Sequence, residues 1–406
     1  MRRAIVLSGG GGKGAYQIGF WKAIRELDIN YDIVTGTSIG ALNGAFMVQG
    51  NYGDAIKLWS SMHYNKVIDE TINKSYFDNK GKKEIILKYA KGAIKGGLSV
   101  PGLEKIISDN LRPKLFYSSN IDYGLVTVKF PSLKPVMLTK DKIPNELLPD
   151  YLLASASCFP AFKMKKIHKE SYIDGGYYDN MPIDLAISMG AEEIIAVDLR
   201  APGKKRKKDY PNVPITMVSP KNNIGNFLVL EKAQAKRTMK LGYNDTMKVF
   251  NKLDGNYFTF KKGSLNRNFN RLKERFYNNV NLYINDVTKK ERYNNLSQNN
   301  KEKYFNNTFE NIMKAFSLDD SEIYRTSYVN VLIKKKYKKE KKNSYGLLKK
   351  AIKSDKINKS FIDKEIICYI YQELQKQSVS KKILNNLFTL FPKNFLCAIY
   401  LKTIMK

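Results

Sequence analysis

Residues 4–8 form a short apolar, β-prone run of the length of one buried strand. Five glycines follow almost at once, Gly9, Gly10, Gly11, Gly12 and Gly14, interrupted by Lys13. From 14 to 27 the period changes, and apolar residues recur at helical spacing. Residues 31–35 predict a second strand, and 39–49 a buried helix rich in small residues. A strand, a loop, a helix, a strand, a tight turn and a helix, in that order, predict an α/β domain with a parallel sheet.

The pattern then loosens. Residues 54–118 predict mostly polar helices around a Lys/Gly-rich centre, an insertion or a lid over 61–118. Strands return at 122–129 and 134–139, followed by a helix over 146–157 and a hairpin over 161–173. A helix from Pro182, a strand at 193–198 and another at 214–220 flank a basic, solvated loop at 203–208. A helix over 226–242 closes this first domain, 1–245. Beyond 250 the chain turns to Asn, Lys, Tyr and Phe with few glycines, and 251–406 predicts a separate, mainly helical region. Its most apolar stretch, 384–405, reads as a packed helical pair, with an interfacial helix as the other reading.

Charge adds a partner class. The 406 residues carry a formal +32, of which residues 201–406 hold about +27. Such an excess favours anionic partners, an anionic membrane surface above all. The other reading of the same excess is a codon usage that favours Lys, Asn and Tyr. No nucleic-acid-binding motif accompanies it, so nucleic acid is not expected. The three cysteines, Cys158, Cys368 and Cys397, are far apart and in no metal-ligand spacing, which fits a reducing compartment. The first apolar run is too short for a signal-peptide core, and no run is long enough to span a bilayer. A cytoplasmic protein, at most peripheral at the inner membrane face, is expected.

The glycine loop admits three readings. Gly9, Gly11 and Gly14 satisfy G-x-G-x-x-G between a strand and a helix, but no acidic residue ends the second strand to hold a ribose. A phosphate-binding loop requires a glycine at Leu7 and a hydroxyl residue at Gly14, and both fail. The third reading comes from Gly36-Thr37-Ser38-Ile39-Gly40, a G-x-S-x-G pattern at a strand-to-helix turn. That turn lifts a serine hydroxyl above the sheet edge at a helix amino end, where negative charge is favoured.

A serine nucleophile needs a base. The chain has only His63 and His168, both in polar loop contexts, and none follows position 168. A carboxylate must then serve. Asp174 ends an alternating strand, and Gly175 and Gly176 turn the backbone away directly after it. An ordinary aspartate titrates near 4 and is a weak base, so partial burial is required.

Taken together, residues 9–14, 36–40 and 174–176, in this order, resemble the patatin-like phospholipase family, bacterial type. Residues 154–162, with Ser157 and Pro160, and the run from Asp174 through Asn180 and Pro182 to a helix and strand are also similar to it. The resemblance spans roughly 1–245. It implies a three-layer α/β/α fold with a mostly parallel central sheet and a serine hydrolase acting on lipid acyl esters. In that scheme Ser38 attacks, Asp174 accepts the proton, and Gly10 and Gly11 chiefly supply N–H groups to the oxyanion. Lys13 fits a basic position of the family without a catalytic role. No metal or cofactor is implied. The competing readings are a membrane- or partner-binding module on the same fold, and an acyltransferase using the same dyad.

Overall fold

The computed structural model describes residues 1–68, 79–206, 210–284, 295–340, 363–377 and 380–405. They form two compact units, Met1–Phe250 and Asn251–Lys406.

The first unit begins with β1 (Arg3–Leu7), α1 (Ala15–Glu26), β2 (Ile33–Thr37) and α2 (Ile39–Val48). Four helices follow: α3 (Tyr52–Ser61), α4 (Asn79–Ile94), α5 (Pro101–Asn110) and α6 (Pro113–Ser118). Then come β3 (Asp122–Phe130), β4 (Pro135–Thr139), α7 (Leu148–Ser155), β5 (Lys165–Ile167) and β6 (Glu170–Asp174). The unit closes with α8 (Ile183–Ser188), β7 (Glu193–Val197), β8 (Ile215–Val218) and α9 (Lys232–Val249).

The strands lie in the order β5-β6-β3-β2-β1-β7-β8, with β4 also paired to β3. The run from β3 through β8 is parallel, as the alternation of strands and helices predicts. β4, β5 and β6 pair antiparallel, so the sheet is mixed at one end. The period of two along β1 divides the core between the two faces. Ile5 and Leu7 join the large core, with α1, α2, α3 and α7. Ala4 and Val6 face the other way, onto a smaller core with Ile183 and Ala186 of α8.

The register positions the loops. Leu7 pairs with Gly36, so the glycine loop and the G-x-S-x-G turn leave the same sheet edge side by side. Thr37 pairs with Val126, and the next residue, Thr127, pairs with Asp174. β6 therefore reaches that edge from the opposite direction and ends there.

Several boundaries differ from the sequence reading. β2 starts at Ile33, not at residue 31, and runs on to Thr37, because β1 and β3 both pair with it. The last helix of the unit covers Lys232–Val249 rather than 226–242. Residues 226–231 precede it as irregular backbone: Phe227 O accepts the Gly12 N–H at 2.7 Å and Leu230 O accepts that of Tyr64 at 3.2 Å. The apolar side chains there face a cavity and the core, which mimics helical periodicity. The compact unit runs to Phe250, the end of this helix, and the second begins at Asn251. Of the expected insertion, 69–78 lie outside the described residues, as do Lys207 and Lys208 of the basic run.

The second unit is helical, as expected, but also holds a small sheet of β9 (Leu253–Asp254), β10 (Thr259–Lys261) and β11 (Ile323–Tyr324). Its core packs Phe276, Phe305 and Phe309 around Tyr400. The Tyr400 hydroxyl donates to Asn330 Oδ1 at 2.9 Å and accepts from Asn268 Nδ2 at 3.0 Å. Asn330 Nδ2 closes the ring onto Asn268 Oδ1 at 3.2 Å, so this buried polar cluster is internally satisfied. The apolar C-terminal stretch forms two helices, Lys381–Leu390 and Pro392–Met405. Phe395 through Leu401 are buried in the unit's own core, the packed-pair reading of that segment.

Candidate active site

Ser38 sits between β2 and α2 with φ 58° and ψ −127°, a conformation a side chain rarely adopts. The turn closes because its flanking glycines carry no side chain. A Cβ at Gly40 would lie 2.3 Å from Leu7 O, and one at Gly36 2.4 Å from Gly40 itself. The Ser38 N–H donates to Ser155 Oγ at 2.9 Å, and Ser155 Oγ donates in turn to Val126 O at 2.7 Å. Thr37 Oγ1 donates to Asp179 O at 2.7 Å, tying the turn to the segment after the Asp174 turn. Ser38 as a whole is 9% exposed.

Asp174 is the last residue of β6 and is buried. Its Oδ1 accepts the Gly176 N–H at 2.7 Å, and its own N–H donates to Ser157 O at 2.9 Å. A Cβ at Gly175 would lie 2.1 Å from Val126 O, so only glycine lets the chain turn there against the sheet. Burial raises the Asp174 carboxyl to about 6, and the Ser38 side chain and the Gly176 N–H oppose the rise. The two side chains singled out in the sequence, 136 positions apart, thus line one cavity, close enough for Ser38 to act on the titration of Asp174.

The glycine loop lies beside this pair. The Gly9 N–H donates to Asn180 O at 3.0 Å and the Gly12 N–H to Phe227 O at 2.7 Å. Gly11 has φ 49°. Among the described residues no acceptor takes the N–H of Gly10 or Gly11. Both residues line the same cavity as Ser38, so their donors are available to an anionic oxygen there. Gly9 and Gly12 shape the loop instead of offering donors, and Gly14 packs against Trp59. Lys13 Nζ donates to Arg200 O at 3.0 Å and does not line the cavity.

Behind the loop runs a buried polar chain. Gln17 Nε2 donates to Ser8 O at 2.7 Å, Asn43 Nδ2 to Gln17 Oε1 at 2.8 Å, and Trp59 Nε1 to Asn43 Oδ1 at 3.0 Å. It links the base of the glycine loop to α2 and to a wall of the cavity. Sequence reasoning passed over Gln17, Asn43 and Ser155. Each stands within a predicted helix, and only the sign of a polar residue on an apolar face marks them.

The cavity holds about 450 Å³. Leu42, Leu58, Trp59, Met62, Tyr89 and Leu103 form its buried end. Ser38, Asp174 and the glycine loop line it too, and its exposed members are Tyr177, Pro202, Gly203 and Lys204, of which Lys204 bonds Gly176 and Gly203 packs on Asn180. Neither histidine lines it, and His168 is the exposed tip of the β5–β6 hairpin. A serine oxygen and a buried carboxylate at one cavity, beside free backbone donors and an apolar chamber, can attack an acyl carbonyl bearing a hydrocarbon chain.

Comparison with known proteins agrees in kind. Residues 5–187 match the model of the patatin-like phospholipase family. That match spans Ser38 and Asp174 but stops short of β7. Patatin-like phospholipase domain-containing protein 7 of Rattus norvegicus is 28% identical over 211 residues, 52% of this chain and 14% of that protein. Neuropathy target esterase sws of Drosophila melanogaster is 29% identical over 205 residues, 48% of this chain and 13% of its own. The chain thus matches only about a seventh of the length of these relatives. The crystal structure of VipD from Legionella pneumophila aligns over all of this chain and 90% of its own at 13% identity, with a TM-score of 0.40.

Proposed function

We propose that this protein is a lipid acyl hydrolase of the phospholipase A or lysophospholipase kind, working through Ser38 and Asp174. The observation that carries the reading is the Ser38–Asp174 pair brought together at one cavity. Its carboxylate is held near 6 and it opens into a chamber walled by apolar side chains. The family match over residues 5–187 and the esterase relatives support it.

Ser38 Oγ attacks the ester carbonyl carbon while its proton passes to Asp174. The carbonyl oxygen becomes an oxyanion facing the N–H groups of Gly10 and Gly11, each such donor being worth about 10²–10³ in turnover. The tetrahedral centre collapses, the bond to the alcohol oxygen breaks, and Asp174 returns the proton to that oxygen. Water then repeats the sequence on the acyl-serine and releases the fatty acid. The chamber holds the hydrocarbon chain, which excludes water from the oxyanion and strengthens those hydrogen bonds.

The test is hydrolysis of a short p-nitrophenyl ester and of a lysophospholipid by the wild type, Ser38→Ala and Asp174→Asn. Loss of turnover in both variants is the expected outcome. Equal turnover in all three ends the reading. Appearance of acyl product on an added alcohol in place of fatty acid moves it to acyl transfer.

A further inference from the structure

Beyond the reacting pair, the rim of the cavity carries one more group with chemistry. Among the described residues lining the cavity, Lys204 is the only Lys or Arg. It lies beyond residue 187, where the family match ends. Its backbone is fixed on both sides. The Lys204 N–H donates to Gly176 O at 2.8 Å, and Lys204 O accepts the Asn180 N–H at 2.6 Å. Gly176 also donates to the Asp174 carboxylate, and Asn180 also bonds the glycine loop. The lysine is therefore held against the turn that carries the base, and is not on a segment free to drift.

Its charge is uncommitted. The next residue, Lys205, pairs with Asp198 at 2.7 Å, and Arg206 pairs with Asp184 at 3.6 Å. Lys204 forms no ion pair with any described residue, and its side chain is exposed. The cavity also has a direction. Its buried members are largely apolar, and its exposed ones, Tyr177, Pro202, Gly203 and Lys204, belong to or run beside the turn that follows Asp174. An ester whose chain fills the chamber and whose carbonyl meets Ser38 must direct its leaving alcohol toward Tyr177, Pro202, Gly203 and Lys204.

Resting on the proposed hydrolase reading, we infer that Lys204 selects acyl esters whose leaving alcohol carries an anionic phosphate. The ammonium meets that phosphate at the rim while the chain lies in the chamber. A cation beside a low-dielectric wall acts more strongly on an anion than one on open surface. The contact forms equally with bound substrate and with the transition state, so it acts through KM.

The experiment compares two substrates with one acyl chain, a monoacylglycerol and its 3-phosphate, each below its aggregation limit. The ratio of kcat/KM, phosphate over neutral, is measured for the full-length wild type and for Lys204→Ala, Lys204→Glu and Lys204→Arg. The ratio is expected to fall about tenfold in Lys204→Ala, through KM, and further in Lys204→Glu. Lys204→Arg is expected to keep it, and the wild-type ratio to shrink as salt rises. The same ratio in wild type, Ala and Glu overturns the inference alone. Inhibition of the neutral substrate by inorganic phosphate, with that ratio unmoved, assigns the lysine to a free anion and also overturns it. No turnover of either substrate by the wild type removes the hydrolase reading and this inference with it.

Discussion

Ser155 Oγ accepts the Ser38 amide at 2.9 Å and donates to Val126 O at 2.7 Å. One buried hydroxyl thus ties the turn at Ser38 to the strand beside it. Ser155→Ala leaves a buried N–H and a buried carbonyl unpaired, a cost of about 1–3 kcal/mol. Denaturant titration is expected to show that loss. Because the Ser38 backbone is strained, kcat on a short ester is expected to fall more than KM rises.

In the proposed role Asp174 must be ionised to accept a proton, and burial places its titration at about 6. The kcat/KM of the wild type is expected to rise with pH through a single ionisation near 6 and to level above 7. A pH–rate profile on a neutral ester checks this. A profile flat from pH 5 to 8 assigns the base elsewhere.

The same shift has the opposite sign for stability. A carboxyl raised in the folded state contributes stability below its unfolded pKa of 3.8, and that contribution is lost as pH rises through about 6. Asp174→Asn removes the cost of a buried charge and still accepts the Gly176 N–H. The variant is expected to be more stable than wild type at pH 8, by on the order of 2 kcal/mol, and about equal at pH 4. Urea midpoints at the two pH values check it.

Two glycines make a matched pair. Gly40→Ala puts a Cβ 2.3 Å from Leu7 O, whereas Gly53→Ala in α3 meets nothing within 4 Å. The first is expected to cost about 1–3 kcal/mol or more by overpacking. The second is expected to be neutral or to stabilise by up to about 1 kcal/mol. Chemical denaturation of both distinguishes a steric requirement at the turn from a general effect of adding a methyl group.

The limit of the first unit is also testable. Tyr16 OH donates to Asp245 Oδ2 at 2.9 Å, and Lys248 lies 2.8 Å from Asp245 Oδ1. A chain ending at Phe250 keeps both contacts. One ending at Asp245 loses the lysine and the last turn of α9, and is expected to melt several degrees lower. Thermal melts of the two truncations give the comparison.

Much of this was legible before the structure. The glycine run, the G-x-S-x-G turn and Asp174 before two glycines are local features, since each demands particular residues over a few positions. β1, α1, α2 and the β5–β6 hairpin follow from periodicity for the same reason. The misread helix at 226–242 shows the limit. Leu228 and Leu230 line the cavity and Val229 enters the core, so burial from two sides copied a helical pattern.

What the sequence determined by itself is which residue types stand at each turn and which strands and helices flank them. What only the tertiary structure decided is which turns meet. Asp174 reaches Ser38 because β6 runs antiparallel to β3 and ends beside the close of β2, a pairing no local pattern encodes. Its shifted titration, the unpaired donors of Gly10 and Gly11, and the place of Lys204 at the rim follow from that meeting. Burial and hydrogen-bond satisfaction belong to the packed chain, because each depends on atoms distant in sequence.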